Sequence, residues 1–468
     1  MKKSLLTLAF LGAFSSVLYA EAFDVVVVGS GGAGLSAAIA AKQSGANVLV
    51  LEKMSYLGGN TNFASGGMNA AGTKQQIAGG VTDDSPALFY ADTMKGGHNL
   101  NDPELLKTLT DNAAGAEEWL LSMGADFCFQ NRRSGGQSKP RSHGPCDGSS
   151  VGAAVMKVLS AEAKKEAIPI RTNNQVTELI MKKGQVVGVK VKTKGGETTI
   201  DAKAVVLATG GFGANLAMVT KYRPELKGFS TTNHAGAQGE GIALGEQVGA
   251  GLTDIEQIQI HPTVIKRDGH LISESMRGRG AILVNQEGKR FTNELLTRDV
   301  VSQNELKETG GYAYLLWDEA VAQKSKLAQG YYQDGYAVKA NTIEELAGLL
   351  KIDPRTLLAT ITRYQGFAKA KKDDDFGRPD FLTDLSTGPY YAAQVTPGIH
   401  HTMGGLKINT KAEVLTAKKA PIPGLYAAGE VTGGVHGGNR IGGNAVADIV
   451  TFGRIAGTDA AAFAKTAK

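Results

Sequence analysis

Phe23-Asp24-Val25-Val26-Val27-Val28 is a β-branched run that stops at Gly29-Ser30-Gly31-Gly32-Ala33-Gly34. A short apolar run bounded by glycine predicts a strand buried on both faces. Leu35 to Ser44 then reads as a helix, and Asn47 to Leu51 as a second strand ending at Glu52. Asp102-Pro103 supplies an N-cap and a proline at the first helical position. The helix predicted there carries Leu105, Leu106, Leu109, Trp119 and Leu120 on its apolar face and closes at Gly124. Val176 to Met181 and Val186 to Lys192, separated by Lys182 to Gln185, predict a β-hairpin. A buried strand is expected at Ala204-Val205-Val206-Leu207-Ala208, ended by Thr209-Gly210-Gly211.

From about 256 to 400 the pattern changes to less glycine, longer polar side chains and several amphipathic stretches. This predicts an inserted second domain. Within it, Lys371-Lys372-Asp373-Asp374-Asp375 mixes signs, which predicts a solvated turn rather than a metal loop. A strand at Gly424 to Glu430 and a helix from Asn444 to about Lys465 end the chain. The fold class expected is α/β (α+β overall), a two-part Rossmann-like dinucleotide domain with an insert. The divisions are 1–20, 21–255, 256–400 and 401–468.

Length and composition sharpen this picture in three places. At 468 residues the chain calls for two or more packed units. Glycine is in excess, 61 of 468, without the period of collagen. Lys2 and Lys3, the apolar Leu5 to Leu11 and Leu18-Tyr19-Ala20 read as a cleaved export signal, too short for a membrane span. Its loss takes the formal charge from +5 to +3 (48 Lys+Arg minus 45 Asp+Glu), a surplus too small to suggest a nucleic-acid partner. Cys128 and Cys146 could pair in an oxidising compartment, although the sequence does not give their separation. No CxxCH or clustered-cysteine pattern is present, so neither covalent haem nor an iron–sulfur centre is expected in this chain, and no metal.

The glycine turn carries the first chemistry. Strand, GxGxxG, helix, strand and acid is the dinucleotide-binding arrangement. Gly29 allows the tight turn, Gly31 the approach of a pyrophosphate and Gly34 the packing of helix on strand, with Glu52 placed to accept from a ribose. Two further glycine loops, Leu57-Gly58-Gly59-Asn60-Thr61-Asn62 and Ala64-Ser65-Gly66-Gly67-Met68-Asn69, are unnecessary for a nicotinamide cofactor and suit a flavin. Arginines and histidines in short polar clusters elsewhere suggest a cationic clamp for a small dianion.

Those clusters carry a resemblance. His261-Pro262-Thr263, Thr297-Arg298-Asp299, His400-His401-Thr402-Met403-Gly404-Gly405 and Gly438-Asn439-Arg440-Ile441-Gly442-Gly443-Asn444, with the Gly29 signature and Thr209-Gly210-Gly211, resemble the flavoprotein of soluble periplasmic fumarate reductases. These are the flavocytochromes c, related to the succinate dehydrogenase flavoprotein subunit, and the likeness runs from Phe23 to the end. It implies a clamp domain and FAD at Gly29, Gly31, Gly32, Ala33, Gly34, Glu52, Lys53, Gly59, Asn60, Thr61, Gly66, Gly67, Thr209, Gly210, Gly211, His401, Glu430, Asn444 and Ala445. His261 with Ser273 would hold one substrate carboxylate, and His400 with Arg440 the other. Arg298 would donate the proton, fed through Glu274 and Arg277.

The chain departs from that family in ways that matter. Asn60 stands where relatives with covalent FAD have histidine, so non-covalent FAD is implied. Ser273 replaces the usual threonine, and the pocket around Ser134-Gly135-Gly136 and Leu271 differs. No haem domain precedes the flavin strand, so a separate donor, a small periplasmic c-type cytochrome, is expected. Fumarate is the expected substrate. Methacrylate, crotonate or urocanate are alternatives, as is a non-catalytic flavin electron-transfer subunit. Ketosteroid dehydrogenases and aspartate oxidases share the flavin fold without needing this set of residues.

Overall fold

A computed structural model describes residues 21–467; the export signal read at 1–20 lies outside the described residues. Along the chain come β1 (Glu21–Val28), α1 (Gly32–Gln43), β2 (Val48–Leu51), α2 (Pro103–Ser122), β3 (Ile170–Arg171), β4 (Gln175–Lys182), β5 (Gln185–Thr193) and β6 (Gly196–Leu207). A second group follows: β7 (Ile258–Val264), α3 (Ser275–Gly278), β8 (Ile282–Val284), α4 (Arg298–Lys307), β9 (Ala313–Asp318), β10 (Val338–Ala340) and β11 (Tyr390–Thr402). β12 (Glu413–Leu415), β13 (Pro421–Ala427) and α5 (Asn444–Thr466) complete it.

The first sheet has the order β12-β13-β6-β1-β2-β3, with β4 and β5 joined beside β6. β1 runs parallel to β2 and β6, with Val28 opposite both Leu51 and Leu207, so three strand ends reach one edge together. In such an open sheet a ligand binds beyond the carboxyl ends of the strands. β6 is longer than its buried half suggests. Residues 196–201 pair with β5, and 205–207 pair with β13. α1 packs on α5 so closely that a Cβ at Gly457 would lie 2.0 Å from the Ala37 carbonyl oxygen. α1 starts at Gly32, before the apolar pattern begins at Leu35. On α2, Trp119 lies at the edge of the buried face, half-exposed under the Arg454 guanidinium.

The second sheet, β7-β11-β9-β8 with β10 beside β11, is antiparallel. Its alternation feeds two cores. Leu315 and Trp317 of β9 face one, with Met276 and Val301; Leu316 faces the other, with Tyr364 and Leu346. Ile258 of β7 and Ile399 of β11 belong to the core of the first sheet. The two sheets therefore meet where β7 and β11 pair, and His261 and His400 sit at that seam.

One reading changes and one left open is decided. Asp373 is buried rather than solvated, accepting from Arg290 Nη2 at 2.9 Å and from the Arg378 amide at 3.3 Å. The mixed-sign run conceals one buried ion-pair partner among exposed neighbours. Cys128 and Cys146 form a disulfide. Among the described residues no helix is long and apolar enough to cross a membrane.

Candidate active site

The glycine turn after β1 is set by close backbone approach. Gly29 has φ +105°, and a Cβ there would lie 2.3 Å from the Ala208 carbonyl oxygen. At Gly34 a Cβ would meet the Gly29 carbonyl at 1.9 Å, so only glycine lets α1 start against the strand end. Thr61 accepts from the Gly32 amide at 3.0 Å. A cleft of about 890 Å³ opens here, walled by Gly29, Gly31, Gly32, Ala33, Glu52, Lys53, Gly59, Asn60, Thr61, Thr209, Gly210 and Glu430.

Not every expected cofactor residue turns a side chain to this cleft. Glu52 accepts from the Ser30 amide (3.0 Å) and hydroxyl (2.6 Å) and from the Met54 amide (2.8 Å). A carboxylate has about four acceptor sites, so capacity for a ribose hydroxyl remains. Lys53 pairs with Glu240. Gly211 serves packing, since a Cβ there would lie 2.1 Å from Thr402 Oγ1. Asn444 is likewise engaged, accepting from Asn69 at 2.6 Å and donating to Thr93 at 3.2 Å. Asn60 donates to Asn233 (2.7 Å) and Glu430 (3.3 Å) and accepts from the His234 amide (2.7 Å).

A second cleft, about 760 Å³, shares Asn60, Thr61, Glu430 and Ile449 with the first, so the two are continuous. Gly66, Gly67, Leu271, Arg298, His400, His401, Arg440 and Ala445 also line it. Gly443 and Ala445 bring the amino end of α5 to its wall, where the helix dipole favours negative charge. The two clefts together are continuous, glycine-lined and more apolar than polar, the character of a cofactor site, with Arg298, His400, His401 and Arg440 at one polar end.

That polar end is cationic. Arg298 is held at all three nitrogens. Glu274 Oε2 accepts from Nε (2.8 Å) and Nη2 (2.6 Å), while Gln259 Oε1 accepts from Nη1 (3.0 Å). Gln259 also donates to Asn439 and to the Arg440 carbonyl, tying β7 to the Arg440 loop. Arg440 is buried; Nη1 reaches only the Ile441 carbonyl at 3.3 Å, and Nε has no partner. Burial, then the nearby Arg298 charge, lowers its guanidinium to about 9.

The His261 and His400 rings stand 4.9 Å apart. His400 Nδ1 bonds the Thr232 hydroxyl at 2.7 Å. Because His261 Nδ1 accepts from the Thr263 amide, its proton belongs on Nε2, which has no partner. Burial, followed by Arg298, holds both imidazoles well below their ordinary value, so both are neutral at pH 7. His401 is lowered by burial, then by Arg440, and meets His436 edge-on; His436 in turn bonds Asp448. Ser273 Oγ accepts from the Ser275 amide and hydroxyl, leaving its own proton free to donate.

Glu274 joins the cations. Burial alone would raise its carboxyl, but Arg298 and Arg277 outweigh that and hold it at about 2. Arg277 Nη2 lies 3.4 Å from Oε1 of the same carboxylate, and the Gly135 amide donates to it at 2.9 Å. No side chain fits at position 135, where a Cβ would lie 2.3 Å from the Leu296 carbonyl oxygen. Ser30, Thr232 and Gln259 were not among the residues singled out from sequence. Gln259 had a signal: polar residues at 259, 261 and 263 alternate along a strand that is otherwise apolar.

The family description "FAD binding domain" matches residues 24–446. A "Fumarate reductase (cytochrome)" of Shewanella frigidimarina is 49% identical over 95% of this chain and 78% of the relative. An "NADH:fumarate oxidoreductase" of Klebsiella pneumoniae is 50% identical over 94% of this chain but only 48% of the relative, so the chain spans about half of that protein. A solved flavocytochrome c3 fumarate reductase in its open conformation superposes with a TM-score of 0.77 at 45% identity, covering 95% of this chain and 79% of the other.

Proposed function

The chain belongs to the FAD binding domain family, among its fumarate reductase flavoproteins, and from that premise we propose that it reduces fumarate to succinate. One observation carries this reading: Arg440, Arg298 and His400 line one cleft, His261 stands edge-on against His400, and Glu274, which pairs with Arg298, is already committed to two arginines. Such a pocket is short of negative charge, and a small dianion supplies it.

Each residue then has a task. Arg440 and His400 hold one carboxylate, and His261 Nε2 with the Ser273 hydroxyl holds the other. Arg is suited to bidentate carboxylate binding, and neutral imidazoles add donors without excess charge. Asn60 and the glycine loops would hold FAD non-covalently, and the chemistry it would supply there is hydride donation to one alkene carbon. Arg298 gives a proton to the other. An arginine is a weak acid, but a carbanion-like carbon beside a gripped carboxylate is a strong base, and a fixed guanidinium also stabilises the developing charge. Glu274 keeps the guanidinium plane in place and passes a proton from Arg277. Residues 256–400 act as the clamp. Electrons come from a separate donor, a c-type cytochrome, which fits a protein exported to the periplasm.

The test is oxidation of reduced viologen by the FAD-loaded chain with fumarate beside methacrylate, crotonate and urocanate. Fumarate should be favoured over each monocarboxylate by at least about 30-fold in kcat/KM, because one unfilled carboxylate site costs about 2–5 kcal/mol. A monocarboxylate used equally well would transfer the assignment to another enoate. No turnover with any of them would leave a flavin electron carrier.

A further inference from the structure

Arg132 is a buried cation that the site as described does not use. It follows the short strand Phe127–Gln130 and is 4% exposed. Its Nη2 donates to the Gly66 carbonyl at 2.9 Å, and its Nε has no partner. A Cβ at Gly67 would lie 3.1 Å from Nη2, and one at Gly278 would lie 3.7 Å from Cδ. The side chain therefore lies between the Gly66-Gly67 loop and the end of α3. Its charged neighbours are Arg279, a like charge, and Glu274, which Arg298 and Arg277 already engage. Burial, then Arg279, lowers the guanidinium to about 9, which leaves it cationic at pH 7. A buried cation without a carboxylate of its own is costly to keep, so its presence calls for a reason.

The other side of the loop supplies one. Gly66 and Gly67 line the second cleft, together with Gly443 and Ala445 at the amino end of α5. A Cβ at Gly66 would meet nothing within 4 Å, so that position borders the open cleft. The peptide joining the two glycines is trans. In a trans peptide the carbonyl and the N–H point in opposite directions. With the Gly66 carbonyl turned to Arg132, the Gly67 N–H turns away from the guanidinium, and it makes no hydrogen bond among the described residues. A cation on the carbonyl oxygen polarises the peptide and strengthens that N–H as a donor.

We propose that Arg132 poises the flavin: it fixes the Gly67 amide toward the cleft as a donor to the ring, and its charge favours the reduced form. Arg132 is then a positioning residue, acting through the Gly66-Gly67 peptide without touching substrate. The inference rests on the flavin placement in the reductase reading above. Two-electron reduction makes the ring more electron-rich. A positive charge and a polarised donor behind the wall therefore stabilise the reduced ring more than the oxidised one. The amino end of α5 acts in the same direction on the same cleft. A higher potential lets the flavin draw electrons from a weaker donor.

The test is the flavin midpoint potential of the FAD-loaded full chain, equilibrated with a dye of known potential, for Arg132→Met beside Arg132→Lys. In Arg132→Met the ratio of reduced to oxidised flavin at a fixed potential should fall at least about tenfold, a drop of about 30 mV for a two-electron couple. Flavin content should be unchanged, and the KM for fumarate should stay within about twofold because the substrate clamp is untouched. Arg132→Lys keeps the charge and should recover most of the drop. If the methionine form fails to fold or to hold flavin, Arg132→Gln carries the test, since it keeps an amide donor without the charge and should show the same drop. A potential in the uncharged variant equal to that of the unaltered chain would overturn the inference. So would a drop in Arg132→Lys as large as in the uncharged variant, which would make the effect one of shape. Failure of the unaltered chain to reduce any enoate would overturn the reductase reading and leave the comparison of potentials intact.

Discussion

Arg298→Ala is expected to lower kcat for fumarate by at least about 1000-fold while the protein keeps its flavin. General acid catalysis accounts for about 10²–10⁴ in rate, and loss of a charge aimed at a developing anion adds to it. The flavin should stay because Arg298 belongs to the second cleft, away from the glycine turn after β1. The same change frees Glu274 Oε2 from its two arginine bonds and leaves a buried carboxylate with only Arg277 and the Gly135 amide. Breaking a buried pair costs about 3–5 kcal/mol, so a lower Tm should accompany the lost activity. Arg298→Lys should not rescue turnover, since an ammonium cannot hold Glu274 at two nitrogens and Gln259 at a third. Steady-state kinetics with the bound-flavin spectrum checks this. A variant retaining a tenth of normal turnover removes Arg298 as donor.

Arg440→Ala should act on binding instead. Its guanidinium has a neighbouring like charge and no carboxylate partner, so it is costly to keep in the ligand-free protein. Removing it should leave Tm unchanged or raised while KM for fumarate rises by about 30-fold or more, from the 2–5 kcal/mol typical of truncating a buried charge contact. Opposite effects on stability and affinity are expected where a site is held ready for a ligand. An unchanged KM would remove Arg440 from the clamp. A lower Tm would show that it holds the fold.

How far the sequence discloses this molecule depends on the range of the information. β1, the glycine turn and β2 are legible because a β-branched run, a tight turn and an acid lie within one short stretch. The start of α1 is less so: Gly32-Ala33-Gly34 looks like loop but is helical, since the close fit on the strand end overrides glycine's poor propensity. The first half of β6 was missed because its polar residues face water on a hairpin, without an apolar run. Asp373 looked solvated because neighbouring charges in sequence say nothing of Arg290, which reaches it from elsewhere in the fold.

The candidate site follows the same rule. Arg298, Glu274 and Arg277 come from short motifs that resemblance could mark, and they prove to be in contact. That Arg440 would face the same pocket from far along the chain has no local periodic signature. Gln259 carries no motif and emerges only when strand alternation is combined with burial, as a bridge between two arginines.

The most direct measurement of the central claim is a crystal structure of the FAD-loaded protein with a non-reacting diacid such as malonate. One carboxylate should lie on Arg440 and His400 and the other on His261 and Ser273, with Arg298 in reach of the carbon between them. A diacid bound elsewhere, or held by one carboxylate with Arg298 turned away, would contradict the account.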